Sequence, residues 1–221
     1  MTAIYYTICE KLPSHTFEKA ASLLPMEMQQ KIRKYIRWQD AHAYLYGKLL
    51  LKAAISELGY NYPLESIKTT KYGKPYFKEN DFGFNISHSG EYIVCVVSTE
   101  EKYNLGVDIE EVKPIQVDDF KSIFSDEEKS KMNNYSKFYT FWTRKEAVVK
   151  ADGRGLQIPL KTINTTNLSV ILEDQKYNLY KVDIDENYMI HIATSTKFRE
   201  NVKYFQVTKD RLLNKLCVST Q

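Results

Sequence analysis

Two acidic residues lie close together in an otherwise apolar stretch of the sequence. Residues 105–112 read LGVDIEEV, which places Asp108 and Glu110 two positions apart. Side chains alternate along an extended strand, so both carboxylates share one face while Val107 and Ile109 share the other. Neighbouring carboxylates repel each other and resist losing water. A hard divalent cation between them would stabilise the pair, and so would a strand edge that simply faces solvent.

A third carboxylate and a lysine occur in the stretch 138–150, which reads FYTFWTRKEAVVK. Its apolar residues recur at helical spacing and predict a helix with one face on a core. Glu146 and Lys150 are four positions apart, on adjacent turns, and alone they could be an ordinary helix-stabilising ion pair. With Asp108 and Glu110 they supply oxygen ligands of the kind that Mg²⁺ prefers and a cation suited to a phosphate oxygen.

A second region has residues that could hold phosphate groups. The stretch 71–89 contains a turn marked by glycine and proline, with lysines around it. Ser87 and His88 follow at the end of a predicted strand, before a tight turn whose N–H groups could bind a phosphate oxygen. The alternative is an ordinary hairpin with a polar cap. A Ser-His-Asp site is disfavoured because the sequence has no GxSxG, and P-loop and GxGxxG motifs are absent.

The elements predicted around these residues form two similar halves. In the first half we expect a strand at 3–9, helical segments within 14–37, a helix at 40–59 capped by Asp40 and ended by Gly59, and strands at 82–87 and 92–98. In the second half we expect the strand around Asp108, a capping box of Ser125 and Glu128, a helix at about 136–151, and strands near 168–172, 177–184, 188–195 and 203–208. Helices followed by antiparallel strands in each half predict an α+β fold with two lobes, at 1–105 and 106–221.

The composition is that of a soluble globular protein. The chain has 221 residues, 43% of them hydrophobic and 27% charged. A net charge of +3 argues against a general nucleic-acid partner. Cys9, Cys95 and Cys217 are far apart, which predicts reduced thiols in a cytosol and no zinc site. No signal peptide is evident, and no apolar stretch approaches the roughly 18 residues that span a bilayer. We therefore expect a cytoplasmic protein without a membrane partner.

Five short motifs together resemble a known family. YGKPYF, FNISHSG, GVDIEEV, FWTRKEAVVK and GRGLQIPL occur in this order, and their order and spacing are similar to those of the 4′-phosphopantetheinyl transferases of the Sfp type. The resemblance implies a pseudo-twofold α+β monomer with its active site between the lobes. It also implies transfer of 4′-phosphopantetheine from coenzyme A to a serine of an apo carrier protein in fatty-acid, polyketide or nonribosomal-peptide synthesis. A Mg²⁺-dependent nucleotide or pyrophosphate hydrolase and a non-catalytic CoA-binding protein are the alternatives.

The resemblance also implies roles for individual residues. Asp108, Glu110 and Glu146 would hold Mg²⁺, or Mn²⁺, on the CoA pyrophosphate. Glu146 would accept the serine proton, and Lys150 would balance charge on the pyrophosphate or help the leaving group depart. The expected coenzyme A contacts are Tyr72, Gly73, Lys74 and Pro75 around adenine, and Ser87, His88 and Lys31 at phosphates, with His88 at the 3′-phosphate.

Two positions depart from the family pattern. Met28 lies one turn before Lys31, where close relatives carry a basic residue, and Ala43 lies where some relatives carry arginine. Both departures remove positive charge from the expected 3′-phosphate site.

A further stretch could bind the carrier protein. Residues 113–124 read KPIQVDDFKSIF, with apolar side chains at Ile115, Val117, Phe120, Ile123 and Phe124. These are either core residues of a short helix or, for one or two of them, an apolar docking surface beside the active site.

Overall fold

The structure is a computed structural model that describes residues 1–78, 82–102 and 104–214, with the side chain of Asn214 left aside. Cys217 and the last residues of the expected second lobe lie outside the described residues. In chain order the elements are β1 (Thr2–Ile8), α1 (Ser14–Ala21), α2 (Met26–Ile32), α3 (Trp38–Glu57), β2 (Ile67–Thr69), β3 (Pro75–Phe77), β4 (Gly83–Ser89), β5 (Tyr92–Ser98), β6 (Leu105–Glu111), α4 (Asp126–Lys131), α5 (Tyr135–Asp152), β7 (Ser169–Leu172), β8 (Gln175–Val182), β9 (Tyr188–Thr194), β10 (Lys203–Gln206) and α6 (Lys209–Asn214).

The first lobe is a mixed sheet covered by α3. Its strands lie in the order β10-β1-β5-β4, and β5 pairs antiparallel with both β1 and β4. The helix is apolar on most of its surface because it packs on the sheet on one side and on shorter helices on the other. It begins at Trp38 after Arg37, with no side-chain cap, so the expectation that Asp40 caps it was wrong.

The second lobe repeats this arrangement around α5. Its sheet has the order β6-β9-β8-β7, with antiparallel pairing throughout. The side chain of Asn134 accepts a hydrogen bond from the backbone of Lys137 and starts the helix, and Gly153 ends it in the left-handed conformation, at φ +88°. The capping box of Ser125 and Glu128 at the start of α4 is also present, as predicted.

The two lobes share one order of strand pairing. In the first, β1 pairs with β5 and β5 with β4; in the second, β6 pairs with β9 and β9 with β8. Each sheet carries its long helix on its outer face, while an apolar layer that includes Ile4, Val96, Val107 and Ile109 lies between the sheets. The expected α+β fold with two similar lobes is therefore confirmed.

The end of the described chain returns to the first lobe. Strand β10 pairs in parallel with β1, with Ile4 opposite Tyr204, and α6 contacts α3. The assignment of all residues after 105 to the second lobe therefore needs a correction for the segment 203–214. Pairing with β10 satisfies the outer edge of β1, which would otherwise expose unpaired backbone groups. None of the helices in the described ranges is long and apolar enough to cross a membrane.

Candidate active site

Strands β4 and β6 lie side by side where the two sheets meet. Asn85, Ser87 and Ser89 alternate along β4 and share one face. The side-chain oxygen of Asn85 accepts a hydrogen bond from the backbone N–H of Val107 at 2.9 Å, and the Ser89 hydroxyl accepts one from Glu111 at 3.1 Å. Polar side chains thus join the two lobes, and the face of β6 that carries its carboxylates lies at this junction.

Asp108 is buried at the centre of this junction. Its Oδ1 accepts hydrogen bonds from Lys150 Nζ at 2.6 Å and from the Ser87 hydroxyl at 3.1 Å, and Lys150 also donates to Ser87 at 2.8 Å. Its Oδ2 is buried and has no hydrogen-bond partner in the described part of the chain. Burial raises the pKa of Asp108 to about 7, although Lys150 acts to lower it.

Glu110 is held by two donors from different elements. Its Oε2 accepts a hydrogen bond from the Ser89 hydroxyl at 2.8 Å, and its Oε1 accepts one from the indole N–H of Trp142 at 3.1 Å. Helical periodicity placed Trp142 on the apolar face of α5, and no partner was predicted for Ser89. A period-two polar pattern along β4 and a tryptophan one turn before Glu146 were the available signals.

Glu146 is half-buried on α5, one helical turn before Lys150. Burial raises the pKa of Glu146, Lys150 lowers it, and the charge of Glu110 raises it further. The charge of Glu146 in turn contributes to the raised pKa of Asp108. The three carboxylates therefore act on one another electrostatically, and one lysine offsets only part of their charge.

Carboxylate oxygens are chemically suited to bind a divalent cation, although these three carboxylates do not form a preorganised metal site. In the described ranges no group of three His, Cys, Asp or Glu residues converges closely enough to hold a metal ion. The buried, unpartnered Oδ2 of Asp108 is nevertheless an oxygen ligand without a donor. Mg²⁺ commonly takes one or two protein carboxylates and completes its shell with water and phosphate oxygens. The donor set matches that requirement.

A cleft of about 310 Å³ opens beside Glu146 and Lys150. Tyr72, Gly73, Lys74 and Pro75 also line it, together with Gly153, Gly155, Leu156, Ile158 and Leu160. Lys74 Nζ donates a hydrogen bond to the Ala151 carbonyl at 2.5 Å, which ties the Tyr72–Pro75 turn to the end of α5. Burial lowers the pKa of Lys74 to about 8. The turn of the first lobe and the helix of the second lobe thus share one cleft.

The three predicted phosphate-binding residues, Ser87, His88 and Lys31, lie outside this cleft lining. Strand β4 continues to Ser89, so Ser87 and His88 lie within a paired strand and not at its end, as the sequence had suggested. His88 is exposed; partial desolvation lowers its pKa, and the Lys150 charge lowers it further. Lys31 is exposed on α2, where its ammonium group contacts the ring of Tyr44. A larger cavity of about 460 Å³ lies elsewhere, between α3 and residues 60–65.

A buried ion pair next to Glu146 was not predicted. Lys145 and Glu128 are both fully buried, and their charged atoms lie 2.7 Å apart. Lys145 Nζ also donates a hydrogen bond to the Leu160 carbonyl at 2.9 Å, while Glu128 accepts from the Thr165 hydroxyl at 2.6 Å. This group fastens α4 and the 160–165 segment to the helix that carries Glu146.

The candidate docking stretch is divided between core and surface. Residues Val117–Ile123 form a 3-10 helix. Phe124 is fully buried, and Ile115 and Val117 are half-buried against the same cluster. Phe120 is 43% exposed, with its ring centre 5.3 Å from that of Phe138. Of this set, Phe120 offers the largest accessible apolar surface.

Two similar α+β lobes meet at a buried group of acidic side chains. This is the arrangement expected of a 4′-phosphopantetheinyl transferase. Two family models match the chain: "4′-phosphopantetheinyl transferase, N-terminal" over residues 12–100, and "4′-phosphopantetheinyl transferase superfamily" over residues 104–200. The chain is similar to 4′-phosphopantetheinyl transferase Sfp of Bacillus subtilis (strain 168), with 30% identity over 204 residues that cover 84% of this chain and 88% of the relative.

A second relative is similar over nearly the whole chain. It is 4′-phosphopantetheinyl transferase gsp of Aneurinibacillus migulanus, with 28% identity over 231 residues that cover 98% of this chain and 95% of the relative. The chain belongs to the 4′-phosphopantetheinyl transferase superfamily. The resemblance stated from the sequence motifs is confirmed.

Proposed function

We propose that this protein transfers 4′-phosphopantetheine from coenzyme A to a serine hydroxyl of an apo carrier protein and releases adenosine 3′,5′-bisphosphate. Family membership supports this reaction, and the observation that carries it is the Asp108–Lys150–Ser87 group with its unpartnered carboxylate oxygen. We further propose that the protein works as a cytoplasmic monomer, with coenzyme A and the carrier protein as its partners and without nucleic acid or membrane.

Coenzyme A would occupy the cleft between the lobes. Adenine would lie against the turn Tyr72–Pro75, which lines the same cleft as Glu146 and Lys150. The pyrophosphate would lie over Asp108, where Lys150 and the Ser87 hydroxyl already meet. His88 and Lys31 would contact the 3′-phosphate. This orientation points the pantetheine phosphate toward the carboxylates and the carrier serine.

The reaction is a phosphoryl transfer that requires positioning and charge neutralisation. The serine oxygen forms a bond to the phosphorus that carries pantetheine, and the bond between that phosphorus and the bridging pyrophosphate oxygen breaks. Glu146 accepts the serine proton, directly or through a water; its pKa, raised by burial, makes it a better base than an exposed glutamate. Lys150 neutralises charge on the departing bisphosphate.

A divalent cation, Mg²⁺ or Mn²⁺, would be held by Asp108, Glu110 and Glu146. When bound, it would supply Lewis-acid neutralisation of the pyrophosphate oxygens. Trp142 and Ser89 would keep the Glu110 carboxylate in place for this purpose.

The direct test is the intact mass of an apo carrier protein after incubation with this protein and coenzyme A. A gain of about 340 Da, the mass of the phosphopantetheine that phosphoryl transfer would add, is expected with Mg²⁺ and not with excess chelator. Breakdown of coenzyme A without labelling would instead indicate a hydrolase. Binding of coenzyme A with neither outcome, across acyl and peptidyl carriers, would indicate a non-catalytic protein.

We expect Asp108→Ala to abolish labelling while the protein stays folded, because the change removes the buried oxygen ligand and the partner of Lys150. Circular dichroism would check the fold, and Asp183→Ala, which removes an exposed carboxylate just after β8, is the control. Normal labelling by a folded Asp108→Ala protein would contradict the assignment of the site.

A further inference from the structure

Three aromatic rings form a continuous series from the protein surface to Glu110. Phe120 is exposed on the 3-10 helix after β6, and its ring centre lies 5.3 Å from that of the buried Phe138. The rings of Phe138 and Trp142 are nearly parallel, with centres 6.2 Å apart. Separations of this size are typical of interacting aromatic pairs. The indole N–H of Trp142 then donates a hydrogen bond to Glu110 Oε1 at 3.1 Å.

The Trp142 side chain holds the Glu110 carboxylate from one side, and the Ser89 hydroxyl holds it from the other, at 2.8 Å. A carboxylate has about four lone-pair positions, so both oxygens of Glu110 keep acceptor capacity for a cation. Side chains that hydrogen-bond a metal ligand orient it, and their removal typically weakens metal binding about tenfold to hundredfold. Trp142 would therefore act on a bound cation through Glu110.

The middle ring of this series is closely packed. Phe124, which is fully buried, meets the Phe138 ring nearly edge-on, with ring centres 5.4 Å apart. A closely packed side chain has little room for displacement and transmits a constraint to its neighbours. Trp142 is only half-buried. A partner that covered Phe120 would restrict Trp142 through Phe138, and less entropy would then be lost when a cation binds at Glu110.

The ring series lies next to the place where the acceptor serine must arrive. Phe138, Trp142, Glu146 and Lys150 follow one another at four-residue intervals and so share one face of α5. In the proposed reaction Glu146 accepts the serine proton, so the carrier protein has to lie against this helix face. A carrier protein bound there covers Phe120, which packs on the first ring of the row.

We propose that the Phe120–Phe138–Trp142 ring series couples binding of the acceptor carrier protein to binding of the divalent cation, with Trp142 as the positioning residue for Glu110. This inference rests on the proposed function. The coupling is reciprocal: the carrier protein raises the affinity for the cation, and the cation raises the affinity for the carrier protein by the same factor.

Mn²⁺ binding with and without a carrier protein tests the coupling, with coenzyme A present throughout. The carrier is one that gains mass in the labelling assay, with its acceptor serine replaced by alanine so that no transfer occurs, at a saturating concentration. Electron paramagnetic resonance of free Mn²⁺ gives the dissociation constant. The wild type should bind Mn²⁺ about fivefold or more tightly with the carrier than without it. Equal constants would overturn the inference.

Two variants separate the hydrogen bond from the ring contacts. Trp142→Phe keeps a ring and removes the donor, so Mn²⁺ binding without carrier should weaken about tenfold to hundredfold and the coupling should disappear. Phe138→Leu keeps an apolar side chain and the bond from Trp142 to Glu110, so only the coupling should decrease. Wild-type coupling, or wild-type affinity for Mn²⁺, in Trp142→Phe would contradict the role given to Trp142.

Trp142 fluorescence is a readout that a merely structural role would not move. The chain has two tryptophans, so Trp38→Phe leaves Trp142 as the only reporter and keeps the ring series intact. Mg²⁺ and the carrier protein should each change its emission, and the carrier should shift the Mg²⁺ titration to lower concentrations. Emission that either ligand leaves unchanged would count against the proposal.

Phe205→Ala is the matched control for Phe120→Ala. Phe205 is likewise exposed and stacks on a buried ring, that of Tyr5 with centres 5.1 Å apart, but it lies on β10 at the edge of the first sheet. Phe120→Ala should lose most of the coupling at saturating carrier, and Phe205→Ala should keep it. Thermal unfolding checks that both variants are folded. An equal loss in both would overturn the inference.

The two levels of proposal fail in different ways. If the wild type labels a carrier protein and binds Mn²⁺ equally with and without the alanine form of that carrier, the coupling is wrong and the proposed function stands. If the wild type labels no carrier protein, the proposed function is wrong and the coupling falls with it.

Discussion

Asp108 is placed where a carboxylate is costly. It is buried, one of its oxygens has no partner in the described part of the chain, and Glu110 and Glu146 add negative charge nearby. The Lys150 contact does not offset this, because the pKa of Asp108 stays raised at about 7. A carboxylate whose charged form is destabilised by burial and by neighbouring negative charge is typical of functional sites.

The raised pKa of Asp108 predicts a pH dependence of stability in the metal-free protein. The folded pKa lies above the unfolded value of about 3.9, so the folded state holds the proton longer than the unfolded state does. The contribution of Asp108 to the free energy of unfolding is therefore greatest at low pH and decreases as the pH rises toward about 7. Asp108→Asn should abolish that decline.

Urea unfolding between pH 5 and pH 8, with chelator present, would measure the decline. The wild type and Asp108→Asn should differ most at pH 8, where the variant should be the more stable of the two. A variant that is clearly less stable at pH 8 would show that the ion pair with Lys150 outweighs the burial of the charge.

At the scale of elements, the contact between β6 and α5 sets the distance between the strand that carries Asp108 and Glu110 and the helix that carries Glu146 and Lys150. Gly106 allows this contact, since a Cβ there would collide with the backbone of Ala147 and Ala151. Glu146 and Lys150 lie on the same turns of the helix. A side chain on the strand would therefore move the helix and its functional groups together.

We expect Gly106→Ala to destabilise the protein by about 1–3 kcal/mol, the usual cost of overpacking, and to reduce transfer by more than stability alone explains. Urea unfolding and labelling at a temperature where the variant is folded would separate the two effects. Gly47→Ala is the control, because its Cβ would meet side-chain methyl groups and no backbone, the nearest being those of Ile86 at 3.3 Å and Ile93 at 3.8 Å. Full activity of folded Gly106→Ala would show that the helix position tolerates displacement.

The buried pair of Lys145 and Glu128 holds α5 against α4. We expect Glu128→Gln to cost about 3–5 kcal/mol, because it leaves Lys145 charged and buried without a counter-ion while it keeps the shape of the side chain. The double variant with Lys145→Met should recover part of this loss. Chemical unfolding of both variants is the measurement.

The exposed pair of Lys131 and Glu127 on the same helix is the matched control. Removal of Lys131 should change stability little, since solvent-exposed pairs contribute little. A similar effect at the buried and exposed pairs would contradict the role given to Lys145.

At the scale of the whole molecule, the site exists only because two lobes meet. Ser87 and Ser89 come from the first lobe, and the carboxylates and Lys150 come from the second. The 3-10 helix after β6 extends from this junction and carries the exposed ring of Phe120. A carrier protein that delivers its serine to Glu146 would reach this surface.

We expect Phe120→Ser to raise the KM for the carrier protein about fivefold or more, as for an apolar contact residue in an interface, with the KM for coenzyme A unchanged. Ile171→Ser, which removes an exposed apolar residue of β7, is the control and should change neither constant. An unchanged KM for the carrier would show that docking lies elsewhere.

Local sequence patterns were sufficient to predict several helices and strands of this protein. Periodicity and capping residues predicted α5, the strand around Asp108 and the capping box of Ser125 and Glu128, because each depends on neighbours within a few positions. The motifs identified the family and the residue types of the site, because the charges of these residues and their spacing can be read directly from the sequence.

Contacts between distant segments were decided only by the tertiary structure. Three pairings join residues far apart in sequence: the return of β10 to β1, the hydrogen bonds of Trp142 and Ser89 to Glu110, and the hydrogen bond of Lys150 to Ser87. No local pattern encodes such pairings, because packing of the whole chain selects them. The sequence therefore determined which groups are available for chemistry, and the meeting of the lobes determined which of them act together.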